Sequence, residues 1–186
     1  MFLNMKRILY LATVFAVMAL SACCTKQDVF SDSDKDAIKP VSMFTTTQAS
    51  SEFIVGIDEY VLPDIIAVCG LPKPVPFQPV PGGDAAAVVN SREVLERAFA
   101  SYYGDAEYSV PEIDFDSYSL VVGYFCNGDS GAYAADQRLK KTANGMELYV
   151  KVAETGGYAT PTDICFAGLY PKLPDQIIRV IRWEED

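Results

Sequence analysis

Histidine is absent from these 186 residues, and several chemistries go with it. A serine or cysteine nucleophile has no imidazole base to activate it. A zinc site would need at least three thiolates brought close together, yet Cys69, Cys126 and Cys165 are widely spaced and no Cys-x-x-Cys hairpin occurs. No metal and no cofactor is therefore expected. Cations are scarce as well: 15 Lys and Arg stand against 25 Asp and Glu, a formal charge of −10. Such a chain does not attract phosphate backbones, so nucleic acid is not an expected partner. There is a single tryptophan, Trp183, in an apolar stretch that reads as core. No internal repeat is found.

Gly128-Asp129-Ser130-Gly131 carries the four letters that surround the nucleophile of trypsin-like serine proteases. Without histidine the triad is not available to Ser130. A Ser-Lys dyad would need a buried lysine, whereas Lys140 and Lys141 sit side by side next to Arg138 and read as solvated. Asn, Gly, Asp and Ser are also the residues that build tight turns. The stretch reads as a loop, and no catalytic residue is assigned. The local acid cluster Glu112, Asp114 and Asp116 alternates onto one face of an extended segment. Nothing supplies an opposing carboxylate of the kind glycosidases use, so the chain is read as a non-enzyme.

The first residues say more. Lys6 and Arg7 precede an apolar run from Ile8 to Leu20, followed by Leu20-Ser21-Ala22-Cys23. A short basic region, an apolar core and small residues before a cut site describe an export signal. Its ending resembles the bacterial lipobox, with cleavage after residue 22 and acylation of Cys23. Met5-Lys6-Arg7 is the more usual opening for such a signal than Met1. Three acyl chains would anchor the protein stably where one is marginal. Cys24, rather than Asp, follows the lipidated position, which by resemblance to Gram-negative lipoproteins implies the outer membrane, on its periplasmic or its outer side. Removing residues 1–22 takes away Lys6 and Arg7 and no acid, so the formal charge of the mature chain falls to −12. Asp28, Asp32, Asp34 and Asp36 lie in a polar stretch. Ala37 and Met43 stand where a calcium loop needs Gly and Glu, so residues 23–42 read as an acidic flexible tether.

Four further cysteines, in an oxidising compartment, allow three connectivities. Cys24 lies in the tether, and Cys126 and Cys165 each border an apolar strand. They are the expected disulfide pair.

The rest of the chain is read as one α+β domain, a mainly antiparallel β-sheet or sandwich with one packed amphipathic helix at about residues 91–103. Residues 43–89 form an N-terminal segment. Strands are expected within 51–70, broken by Pro63, and a stiff connection follows with Pro72, Pro74, Pro76, Pro79 and Pro81. Asn90-Ser91-Arg92-Glu93 reads as a capping box with Asn90 as N-cap. Gly104 is placed to end that helix. Leu120 to Cys126 is nearly all apolar and should be covered on both faces. Met146, Leu148, Val150 and Val152 alternate with polar residues, as a half-buried strand does, and Asn144-Gly145 before them signals a hairpin. The segment Gln176 to Trp183 reads as a last strand, with Arg179 and Arg182 on opposite faces.

From residue 90 onward the order of elements resembles the C-terminal domain of the PrcB family, bacterial envelope proteins named for a lipoprotein that stabilises a partner protease. The matching residues are the helix Ser91–Tyr103, Asp114-Phe115 before the strand Leu120–Phe125, Gly131-Ala132-Tyr133, the turn Asn144-Gly145, and Pro174–Arg182. Ala132 departs from the family's second glycine. A fainter similarity is to chagasin-type protease inhibitors, through Gly131-Ala132-Tyr133, Gly156-Gly157 and Arg182-Trp183. The PrcB resemblance implies a non-catalytic, lipid-anchored module that binds an envelope protein, such as a protease it stabilises or restrains. The expected surface joins two loops, one with Asn127, Asp129, Ser130, Gly131 and Tyr133 and one with Gly156, Gly157 and Tyr158. Both are rich in small polar residues around a few aromatic anchors. The alternative is a surface glycan-binding lipoprotein, for which eleven tyrosines supply stacking groups.

Overall fold

A computed structural model describes residues 36–45, 57, 60–74, 83–127, 132–143, 145–154 and 162–183. Its elements, in chain order, are β1 (Ser42–Thr45), α1 (Leu62–Val68), β2 (Ala85–Val89), α2 (Arg92–Tyr103), β3 (Tyr118–Asn127), β4 (Ala132–Thr142), β5 (Gly145–Glu154), β6 (Thr162–Pro171) and β7 (Ile177–Trp183). The strands form one sheet in the order β1-β6-β3-β2-β7-β5-β4. Neighbours are antiparallel except β5 and β7, which run parallel. Just before β1, Ile38 exchanges both backbone hydrogen bonds with Leu139 of β4, at 2.8 and 2.9 Å. That bridge ties the first end of the order to the last. The sheet is therefore a nearly closed barrel and not a sandwich.

Alternation along the strands sorts the side chains into two apolar layers. Val121, Phe125, Leu139, Leu148, Val150, Phe166, Ile178 and Val180 point inward and fill the barrel. The outward residues of β3, Leu120, Val122 and Tyr124, meet Leu62, Ile65 and Ile66 of α1 and Leu95, Ala98 and Phe99 of α2. This is why Leu120 to Cys126 is apolar throughout: the strand is covered on both faces. β5 is covered only on its inner face and alternates as expected, with Leu148, Val150 and Val152 buried and Glu147, Tyr149 and Lys151 half-exposed. Its hairpin from β4 turns at Gly145, whose φ of 125° suits a glycine.

Two of the sequence expectations change here. The described residues hold two helices where one was expected. Leu62–Val68 is helical, with Pro63 in its first turn; proline there lacks only a donor that the first turn leaves unpaired anyway. The capping box does not form either. The N-cap of α2 is Ser91, without a side-chain cap. Asn90 instead reaches across the sheet, its Nδ2 donating to the Leu173 carbonyl at 2.8 Å and to Asp175 Oδ1 at 2.6 Å. Its Oδ1 accepts from the buried Ser119 hydroxyl, which in turn accepts the Leu173 amide at 2.8 Å. Residues 43–89 contribute β1, α1 and β2 to the same sheet and core as the rest, with β2 between β3 and β7.

Candidate functional site

The two loops singled out from the sequence leave the same rim of the barrel. β3 ends at Asn127, paired with Thr162 at the start of β6, and β4 begins at Ala132, paired with Glu154 at the end of β5. Asp129, Ser130, Gly131, Gly156, Gly157 and Tyr158 lie outside the described residues. Tyr133 is described. Ala132 and Ala134 point into the barrel, at 0% and 2% exposure, so Tyr133 between them faces outward, half-buried, opposite Ala153.

The same outward face carries a row running Asp136, Lys151, Trp183 across β4, β5 and β7. Arg138, held at 2.9 Å by Asp136, places its guanidinium 5.9 Å from the centre of the Trp183 ring, a cation–π arrangement. Trp183 is thus half-buried on the outer face rather than in the core. Strand parity was the signal for it: with Ile178 and Val180 buried and inward, 177, 179, 181 and 183 must point out.

A charged clamp closes the ends of β2, β3 and β7 near this rim. Arg182 Nε lies 2.7 Å from Asp84 Oδ2 and its Nη1 donates to the Cys126 carbonyl at 2.6 Å. The Cys126 amide donates to Asp84 Oδ1 at 3.1 Å. Asp84 and Arg182 flank the apolar stretches of their strands, and no sequence pattern links the two.

The expected disulfide is absent. Cys69, Cys126 and Cys165 are free thiols. Register explains it: Cys126 faces Asp163 and Cys165 faces Tyr124. Cα atoms on such a diagonal lie roughly 7–8 Å apart, whereas disulfides span roughly 4.4–6.8 Å. Burial pushes the Cys69 thiol up to about 11, and burial together with the Asp163 carboxylate pushes Cys165 to about 12. Cys126 is raised by the same two causes and by Asp84. All three are held protonated at neutral pH, which makes them poor nucleophiles.

The other candidate chemistries separate in space. Lys140 lies eight residues along β4 from Ala132, about 26 Å at the usual rise. Ser130 is two residues from Ala132, so a Ser130–Lys140 dyad is out of reach. Glu112 accepts from Arg92 Nη1 at 2.6 Å, while Asp114 caps a turn by accepting the Asp116 and Ser117 amides at 3.1 and 3.3 Å. A hydrogen bond from the Ser117 side chain, followed by those two amide bonds and the charge of Lys172, lowers the Asp114 carboxyl below its usual range against the opposing effect of partial desolvation. Among the described residues no three acidic or thiol side chains converge on a point that could hold a metal. No protein-family model, curated protein or solved structure matches the chain.

Proposed function

We propose that the protein is a non-catalytic, lipid-anchored envelope module that binds another envelope protein, such as a protease it stabilises or restrains. The sequence Leu20-Ser21-Ala22-Cys23 after an apolar run is the observation that carries the reading. On this reading Cys23 is the lipidation site, and Cys24 rather than Asp after it supports the outer membrane as the location. The order of elements that resembles the PrcB domain suggests the class of partner. Supporting a shared binding rim, the strand ends Asn127/Thr162 and Ala132/Glu154 bracket both Gly- and Tyr-bearing loops. Labelled palmitate fed to cells should enter the wild-type protein and not a Cys23→Ala variant; equal label in both would remove the anchor from the account.

Glycan binding is the second reading. It is favoured by Tyr133 and Trp183 lying half-exposed on one outward face. A soluble-glycan array separates the two, since a module specific for proteins leaves every glycan spot dark.

A further inference from the structure

Large apolar side chains are exposed at five described positions, and three of these are tyrosines: Tyr60 at 60%, Tyr102 at 43% and Tyr108 at 38%. Tyr102 and Tyr108 belong to one group of rings at the end of α2. Tyr103 stacks on Tyr108 at 5.5 Å with 18° between the planes. Tyr102 meets Tyr103 edge-on at 4.8 Å. Phe99, buried beneath, lies 5.9 Å from Tyr103 and 6.0 Å from Tyr108. Gly104 ends the helix at φ 59°, and a turn bond from the Ala106 amide to the Tyr103 carbonyl at 3.1 Å helps bring Tyr108 back onto Tyr103. The rings are thereby fixed before anything binds, which lowers the ordering cost of using them.

The short loop closed by that stack carries Asp105 and Glu107, both exposed. No Lys or Arg occurs anywhere from Ala98 to Gln137, a stretch that holds seven acids. An electron-rich ring face beside carboxylates attracts a cation twice over, through the ring quadrupole and through charge. Of the two protein cations, the planar guanidinium also stacks on aromatic faces, which the ammonium does not.

We propose that Tyr102, Tyr103 and Tyr108, with Asp105 and Glu107, form a docking surface for an arginine-bearing segment of a partner protein. This surface lies on the helix layer and does not depend on the rim loops, so it stands or falls apart from the function proposed above.

The test uses the full chain in detergent and dye-labelled short peptides alternating glycine with arginine, lysine or glutamate, followed by fluorescence anisotropy. The arginine peptide should bind several-fold more tightly than the lysine peptide, and the glutamate peptide should not bind. Replacing Tyr102→Ala and Tyr108→Ala together should weaken arginine-peptide binding about tenfold. Tyr102→Phe with Tyr108→Phe, which keeps the rings, should stay within about twofold, and Tyr133→Ala should change nothing. Circular dichroism confirms that each variant is folded. Absence of binding overturns the proposal. So do equal affinities for arginine and lysine with no effect of the alanine pair, which would mean charge alone, and so does loss in the phenylalanine pair, which would mean hydroxyls rather than ring faces.

Discussion

Gly123 and Gly168 are glycines because of what passes over them. A Cβ at Gly123 would lie 2.6 Å from Phe166 Cζ and 2.7 Å from the Ala85 carbonyl oxygen, and one at Gly168 would lie 2.7 Å from both Gln137 Oε1 and Tyr170 Cε2. Gln137, fully buried, joins β4 to β6 by donating to the Ala167 carbonyl at 3.2 Å and accepting from the Tyr170 hydroxyl at 3.3 Å. Gly123→Ala should cost about 1–3 kcal/mol, as overpacking does, read as a lower midpoint in denaturant; an unchanged midpoint would mean that Phe166 has room to move. The thiols give a pH prediction. Cys69 and Cys165 rise from 9.0 to about 11 and about 12, so the folded state holds these protons more tightly than the unfolded chain. Their contribution to stability is complete below pH 9 and is lost as pH rises from 9 through 11–12. Denaturant midpoints across that range should fall, and replacing both residues with Ala should flatten the fall. Iodoacetamide at pH 8 should label the unfolded chain much faster than the folded one.

At the scale of elements, one carboxylate holds the two helices together. Asp64 of α1 is 4% exposed, accepts from Lys73 Nζ at 2.7 Å and from the Ser101 hydroxyl of α2 at 2.8 Å. Asp64→Ala should cost about 1–3 kcal/mol and speed amide exchange in α1 before it affects the barrel strands; uniform exchange would deny it that local role. α1 also shows where the sequence misled. Ile65, Ile66 and Val68 are β-branched, and Pro63 reads as a break, yet the segment is helical because its apolar face has β3 and α2 to cover it. β2 is hidden in the sequence for the opposite reason. Ala85-Ala86-Ala87 has little strand propensity of its own and is held by ladders on both sides. β3, β5 and the turn at Gly145 were legible because burial on two faces, burial on one face and a positive φ each leave a local imprint. Barrel closure through Ile38 and Leu139, the Asp84–Arg182–Cys126 clamp and the ring group of α2 join residues distant in sequence or set by turn geometry, and no local pattern encodes them. Within the candidate site, the outward face of Tyr133 follows from its alanine neighbours, whereas six of the loop residues lie outside the described structure.

At the scale of the whole molecule, the function proposed above has the barrel offer its rim loops to a partner. If the protein is held at the membrane through Cys23, as proposed above, a partner on the same membrane meets it at an effective concentration of about the millimolar range. A weak contact at one rim would then suffice. The most direct test is a crosslinked pull-down of the protein from its own membranes, run beside a variant with Gly131, Tyr133 and Tyr158 replaced. The account predicts one protein partner in the first sample and its loss from the second. No protein partner, or the same partner recovered equally from both, would contradict it.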